Sequence, residues 1–198
     1  MGYFAFRSPA LPLSTPQYDV RQQNELNRAL RLYFNRFDNF LVPYGSFYDT
    51  TDQIAVSTTI AYPMTFNTTS YSVGVEVSSN SRMYVDTSGT YNIQFSCQLV
   101  NTTNASQNID IWFRKNGTDI ADSNSRFGLA PRKSAGDPFH IVAALNFIVS
   151  VTPNDYIQLY WRASDTDVKI EYYAAPSSPT RPAIPSVILT ATLVSGIE

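Results

Sequence analysis

Cysteine and histidine occur once each among the 198 residues, as Cys97 and His140. That excludes an intrachain disulfide and any metal centre built from thiolates and imidazoles. A serine triad could form only if His140 served it, and His140 lies between Phe139 and Ile141 at a strand start, where a structural role is expected. Glycine is sparse, 8 residues, and forms no phosphate-cradling loop. Charge is sparse as well: 15% of residues are Asp, Glu, Lys or Arg, against roughly a quarter in an ordinary globular chain. A net charge of −2 provides no basic stripe for nucleic acid. No apolar run approaches a membrane span. The segment Met1–Phe6 lacks the basic and apolar regions of a signal peptide, and Phe6 stands where a myristoylation signal needs Ser or Thr. The expectations are therefore no cofactor, no catalysis, no nucleic acid and no membrane insertion.

Hydrophobic residues make up 43% and aromatics 14% of the chain, enough to fill a substantial core. Thr, Ser and Asn take much of the polar share, a composition common in β-rich extracellular or particle-bound proteins. Residues 1–16 place Pro9, Pro12 and Pro16 among apolar side chains and read as an extended arm. Such an arm is either packed on a neighbouring subunit or particle, or a disordered tail. Residues 17–42 read as a helix opened by Asp19 and Gln22 in a capping-box spacing. Leu26, Leu30, Tyr33, Phe37 and Phe40 recur at intervals of 4, 3, 4 and 3. They form a candidate oligomerisation seam, with packing on the chain's own domain as the alternative.

Leu41–Ser46 reads as a linker, and residues 43–198 read as β throughout. Strands are expected near Ile54–Ile60, Val73–Val77, Met83–Val85, Tyr91–Leu99, Ile109–Arg114, Ile141–Val151, Tyr156–Arg162, Val168–Tyr173 and Val187–Val194. Tyr91, Ile93, Phe95, Cys97 and Leu99 alternate with polar residues, the pattern of a half-buried strand with Cys97 as a small buried hydrophobe. The last strand is apolar enough to be covered on both faces. Ser88-Gly89, Asn116-Gly117 and Pro153-Asn154-Asp155 supply turns.

The order of several signals resembles the TNF-like jelly roll, the superfamily that includes the globular head of complement component one q. Ser88-Gly89-Thr90-Tyr91 with its alternating strand, Lys115-Asn116-Gly117, and Asn154-Asp155-Tyr156-Ile157 carry the likeness. Narrower runs are similar to a domain of tailed-phage virion proteins: Asn116–Asn124, Trp161–Thr166 and Ser178–Thr190, together with the helix Tyr18–Phe34. The resemblance implies a mainly β, TNF-like jelly-roll sandwich preceded by an arm and one α-helix. It also implies a homotrimer in which aromatic-rich faces meet around a threefold axis. The expected role is a virion fibre or spike subunit, assembled in the host cytoplasm and anchored to other virion proteins by the arm and helix. Its head would be available to a host-surface glycan or protein. A capsid-decorating cement protein is the alternative, and a secreted complement- or cytokine-like recognition module is a second.

The carboxylate pairs Asp49/Asp52, Asp119/Asp122 and Asp165/Asp167 fall in expected turns, where carboxylates accept backbone hydrogen bonds by default; their spacing singles out no calcium site. Arg126, Arg132 and Lys133 lie in the irregular stretch Asp122–Pro138 and form a candidate partner-contact loop, a solvated loop being the plainer reading.

Overall fold

The computed structural model describes residues 9–14, 16–38 and 42–196, the side chains of 36–38 excepted. One helix, α1, spans Val20–Asp38 and starts three residues later than the sequence pattern suggests. Asp19 caps it, its Oδ1 accepting the Arg21 N–H at 2.8 Å. The Gln22 amide donates to the Leu13 carbonyl and ties the arm to the first turn. Leu26, Leu30 and Tyr33 are half-buried, whereas Leu32 and Phe34 on the same helix are exposed. The Phe37 side chain and Phe40 lie outside the described residues. The buried core of the described chain takes no residue from the helix.

From Tyr44 to residue 196 every regular element is a strand. The strands are β1 (Tyr44–Asp49), β2 (Gln53–Ile54), β3 (Tyr62–Pro63), β4 (Thr68–Val73), β5 (Val75–Ser78), β6 (Arg82–Val85) and β7 (Gly89–Asn101). They continue with β8 (Gln107–Lys115), β9 (Thr118–Asp119), β10 (Ser125–Leu129), β11 (Phe139–Val151), β12 (Tyr156–Ala163), β13 (Val168–Ile170) and β14 (Val187–Gly196). The first sheet runs β11–β7–β14–β1–β4, with β13 and β2 continuing beside the far end of β7. The second runs β10–β8–β12–β6–β5, with β9 on β8 and β3 on β12. Every pairing is antiparallel. The pairs β1·β14 and β7·β11 belong to the first sheet, β6·β12 and β8·β10 to the second. A chain wound in nested pairs that alternate between two sheets is a jelly roll.

The sheets face one another through alternating large side chains. Phe113 from β8 lies between Phe95 and Phe147 of the first sheet, with ring centroids 6.1 and 5.1 Å away. Trp161 is buried beneath Tyr62, and Cys97 lies fully inside, where burial pushes its thiol up and out of the reactive range. Gly89 begins β7 because a Cβ there would land on Leu193 Cδ1 and 2.7 Å from the Ser195 carbonyl oxygen. Two residues on, the buried Tyr91 hydroxyl donates to Thr87 O at 2.8 Å. The Gly-x-Tyr signal is thus one close approach followed by one hydroxyl tether.

Several expectations are corrected. Leu41–Ser46 is not a linker throughout, since Tyr44–Asp49 is an inner strand between β14 and β4. Its glycine is required there: a Cβ on Gly45 would press to 2.6 Å from the Phe47 ring. The strand expected over Ile54–Ile60 shrinks to Gln53–Ile54, and that over Val168–Tyr173 ends at Ile170. Asp122–Pro138 is not irregular throughout, because Ser125–Leu129 pairs with β8. The last strand is covered on one face, leaving Ile188 and Val194 exposed on the other. Asp49 does not sit in a turn but ends β1 at 1% exposure, although it accepts the backbone hydrogen bond expected of it, from Thr51 N at 2.8 Å.

The turn signals at 116–117 and 153–155 prove to be one knot. Asn116 and Gly117 both take positive φ, 52° and 81°, and Asn154 takes 79°. Asn116 Nδ2 donates to Asp155 Oδ1 at 2.7 Å, and Tyr156 N donates back to Asn116 Oδ1 at 2.9 Å. Lys115 Nζ lies 2.8 Å from Asp155 Oδ2, which also accepts from the Thr152 hydroxyl at 2.7 Å. Lys115, then Asn116 and Thr152, hold the Asp155 carboxyl well below the usual carboxylate range. A carboxyl depressed in the fold stabilises it fully above its unfolded value, about 3.9, and the contribution is lost as pH falls through the folded value. Urea midpoints measured from neutral to acid pH should therefore fall below about pH 4. Asp155→Asn should be less stable at neutral pH and converge with the parent in acid; parallel curves would contradict the knot.

Candidate functional site

Directly opposed residues of an antiparallel pair project to the same side of the sheet. The register therefore shows what each sheet presents outward. On the first sheet, Gln98, Ser96, Gln94 and Asn92 of β7 lie beside Val142, Ala144, Asn146 and Ile148 of β11. On the other side the row continues through Ile188, Thr190 and Thr192 of β14 into Tyr48, Ser46 and Tyr44 of β1. None of these positions carries a charge. At its centre is a shallow trough of about 500 Å³ floored by Ser96, Ala144 and Thr190.

This face runs into an open edge. Strand β11 is thirteen residues long, FHIVAALNFIVSV, and pairs only with β7 among the described residues. It holds no charged residue and no proline, while Val142 is 55% and Ile148 59% exposed. Long, apolar, uncharged edges template pairing with other chains unless they are covered.

The second sheet presents the opposite character. Arg126, Asp110 and Arg162 stand in register across β10, β8 and β12, and Arg126 clasps Asp110 through both oxygens at 2.7 and 3.2 Å. Beside them, Arg114 lies 3.8 Å from the centroid of Tyr160, which opposes Trp112. Asp119 accepts from Trp112 Nε1 at 2.6 Å and from Arg114 Nε. Those two donors, Arg114 first, hold its carboxyl below the ordinary range.

No protein-family model matches the chain, and no curated protein matches it. The candidate site rests on geometry.

The residues singled out in the sequence are placed as follows. Arg126 belongs to β10 and the charged outer face, whereas Arg132 and Lys133 lie on the β10–β11 connection, so the three form no single contact loop. Arg132 Nε donates to Asn104 Oδ1 at 2.6 Å; Lys133 is 86% exposed and only 3.5 Å from Asp137. His140 Nδ1 is 2.7 Å from the Tyr173 hydroxyl, which also reaches Glu171, so the histidine pins the β13–β14 connection to β11. Asp165 accepts its own neighbour's amide, Asp167 N, at 2.9 Å. Among the described residues no group of three His, Cys, Asp or Glu side chains could hold a metal ion. Sequence reasoning missed the charge-free face. Its only signals were the uncharged stretch 139–151 and the amides, rather than charges, at the outward positions of β7.

Proposed function

We propose that the chain is a structural, non-enzymatic subunit of a tailed-phage virion. In this reading TNF-like heads pack as a homotrimer through the charge-free face, and the charged sheet is displayed outward to a host-surface glycan or protein. The arm and helix anchor the trimer to other virion proteins. The observation that carries the proposal is the set of uncharged outward rows of β7, β11, β14 and β1, bordered by Lys169 of β13 and running into the open thirteen-residue β11 edge. Interface cores are depleted of charge, and an edge of this kind needs a cover. A second copy of the chain supplies both: in a threefold ring each interface joins two different patches of the chain, and a face and an edge without charges meet without repulsion. The helix supports the same reading. Nineteen residues whose apolar stripe is only half-buried are marginal alone and gain from association. Three tethers acting together would turn a weak anchor into a lasting one.

The direct test is particle composition. Density-purified virions of the phage encoding this chain should contain it, and antibodies to residues 42–196 should label them on the outside. Particles lacking the chain, or intact particles that exclude the antibody, would overturn the display reading.

A further inference from the structure

The charged outer face of the second sheet carries a cavity of about 270 Å³ between β8, the Ile120–Asn124 turn and Arg162 of β12. Its apolar wall is the half-buried indole of Trp112 with Ile120 beside it. The indole is held in place through its Nε1–H, which donates to Asp119 at 2.6 Å. Asp110 is held by Arg126, and Arg162 is braced by its Nε on Thr58 O at 2.6 Å. The wall is therefore built before any ligand arrives.

Other groups at the cavity remain open. Asp122, at a φ of 60°, and Asn124 line it and make no side-chain hydrogen bond to another described residue. The terminal nitrogens of Arg162 are likewise uncommitted among the described residues. Open acceptors, an open amide and open donors thus surround one aromatic wall. The chemistry complementary to that set is a compact molecule whose own polar groups both donate and accept and whose ring edges are apolar C–H. We infer that this cavity binds a neutral saccharide, with a pyranose ring against Trp112 and its hydroxyls on Asp122, Asn124 and Arg162. A sugar bearing a carboxylate would meet Asp119 and Asp122 and be disfavoured. At 270 Å³ the space is just below the range of drug-sized pockets, about 300–1,000 Å³, which suits a terminal sugar unit.

The inference gives a ligand class to the outward display proposed above and rests on that reading only for its biological setting. It needs nothing from the charge-free face, so binding and assembly can fail separately. The test is a ¹H–¹⁵N NMR titration of the full chain with the methyl glycosides of glucose, galactose, mannose and N-acetylglucosamine, and with glucuronic acid as the charged comparator. At least one neutral glycoside should shift the Trp112 indole N–H saturably, with a dissociation constant on the order of millimolar. The indole of Trp161, 1% exposed, should stay unmoved. Asp122→Gly removes the carboxylate at a backbone angle glycine prefers and should weaken binding at least fivefold with the fold intact. The inference is overturned if no neutral glycoside shifts Trp112, if glucuronic acid binds as tightly, or if Asp122→Gly binds as well as the parent.

Discussion

Replacing Ala144 by glutamate should convert the assembled chain to a monomer while leaving its fold intact. Ala144 projects outward from β11 beside Ser96, at the floor of the trough and near the centre of the charge-free face. In an isolated subunit the new carboxylate would stand in water, and surface changes of that kind usually alter stability by less than about 0.5 kcal/mol. In the proposed trimer it would be buried in each subunit with no cation on the outward rows of β7, β11, β14 and β1 to meet it. An uncompensated buried charge costs about 3–5 kcal/mol, and three copies would pay it together. Light scattering should report the monomer mass of 22.2 kDa for the variant, with an unchanged far-ultraviolet circular dichroism spectrum. A variant that assembles like the parent would remove this face from the interface.

Asp49→Ala should be the most damaging single change outside the large apolar core. The carboxylate is 1% exposed, and no cation among the described residues pairs with it. It is satisfied instead by hydrogen bonds: Thr51 N at 2.8 Å, the Thr51 hydroxyl at 2.5 Å, the Thr65 hydroxyl at 2.8 Å and Asn67 Nδ2 at 3.3 Å. Close by, Gln53 completes the corner through its side-chain amide, donating to Thr65 O at 3.1 Å and accepting Thr65 N at 3.0 Å. These side chains do the work of a strand pairing where β1 turns toward segment 64–67. Truncation would remove all four hydrogen bonds at once; their donors sit on the exposed Thr51 and Asn67 and the half-buried Thr65, so each loss costs about 1 kcal/mol or less. The expected loss is about 3 kcal/mol, lowering the melting temperature by roughly 6–12 °C. Thr65→Val removes only one of these partners and should cost about 1 kcal/mol. Equal effects from the two substitutions would show that Asp49 is not the hub.

The long strands were legible because their inward and outward residues alternate in kind. Tyr91, Ile93, Phe95, Cys97 and Leu99 announce β7 by period alone, and the Asn116-Gly117 and Asn154 turns announce their positive φ angles through residue type. Strand β1 was hidden by Pro43 and Gly45, which read as breakers. In the fold Gly45 makes room for the Phe47 ring, and Pro43 O accepts the Leu193 N–H at 2.9 Å. Strand β10 was hidden because Ser125–Leu129 is short and contains an arginine and a glycine, and only pairing with β8 makes it a strand. The candidate surfaces were less legible still. Asn92–Gln98, Val142–Ile148 and Ile188–Thr192 look unremarkable apart. Their lack of charge becomes a face only when the register lays them side by side. The cavity at Trp112 likewise joins residues from β8, a turn and β12 that no local spacing connects.

The central claim is self-association through the first sheet, and the solution mass of the full chain tests it most directly. Light scattering across a dilution series should give three times 22.2 kDa over a broad concentration range. A mass of 22.2 kDa at every concentration would contradict the account.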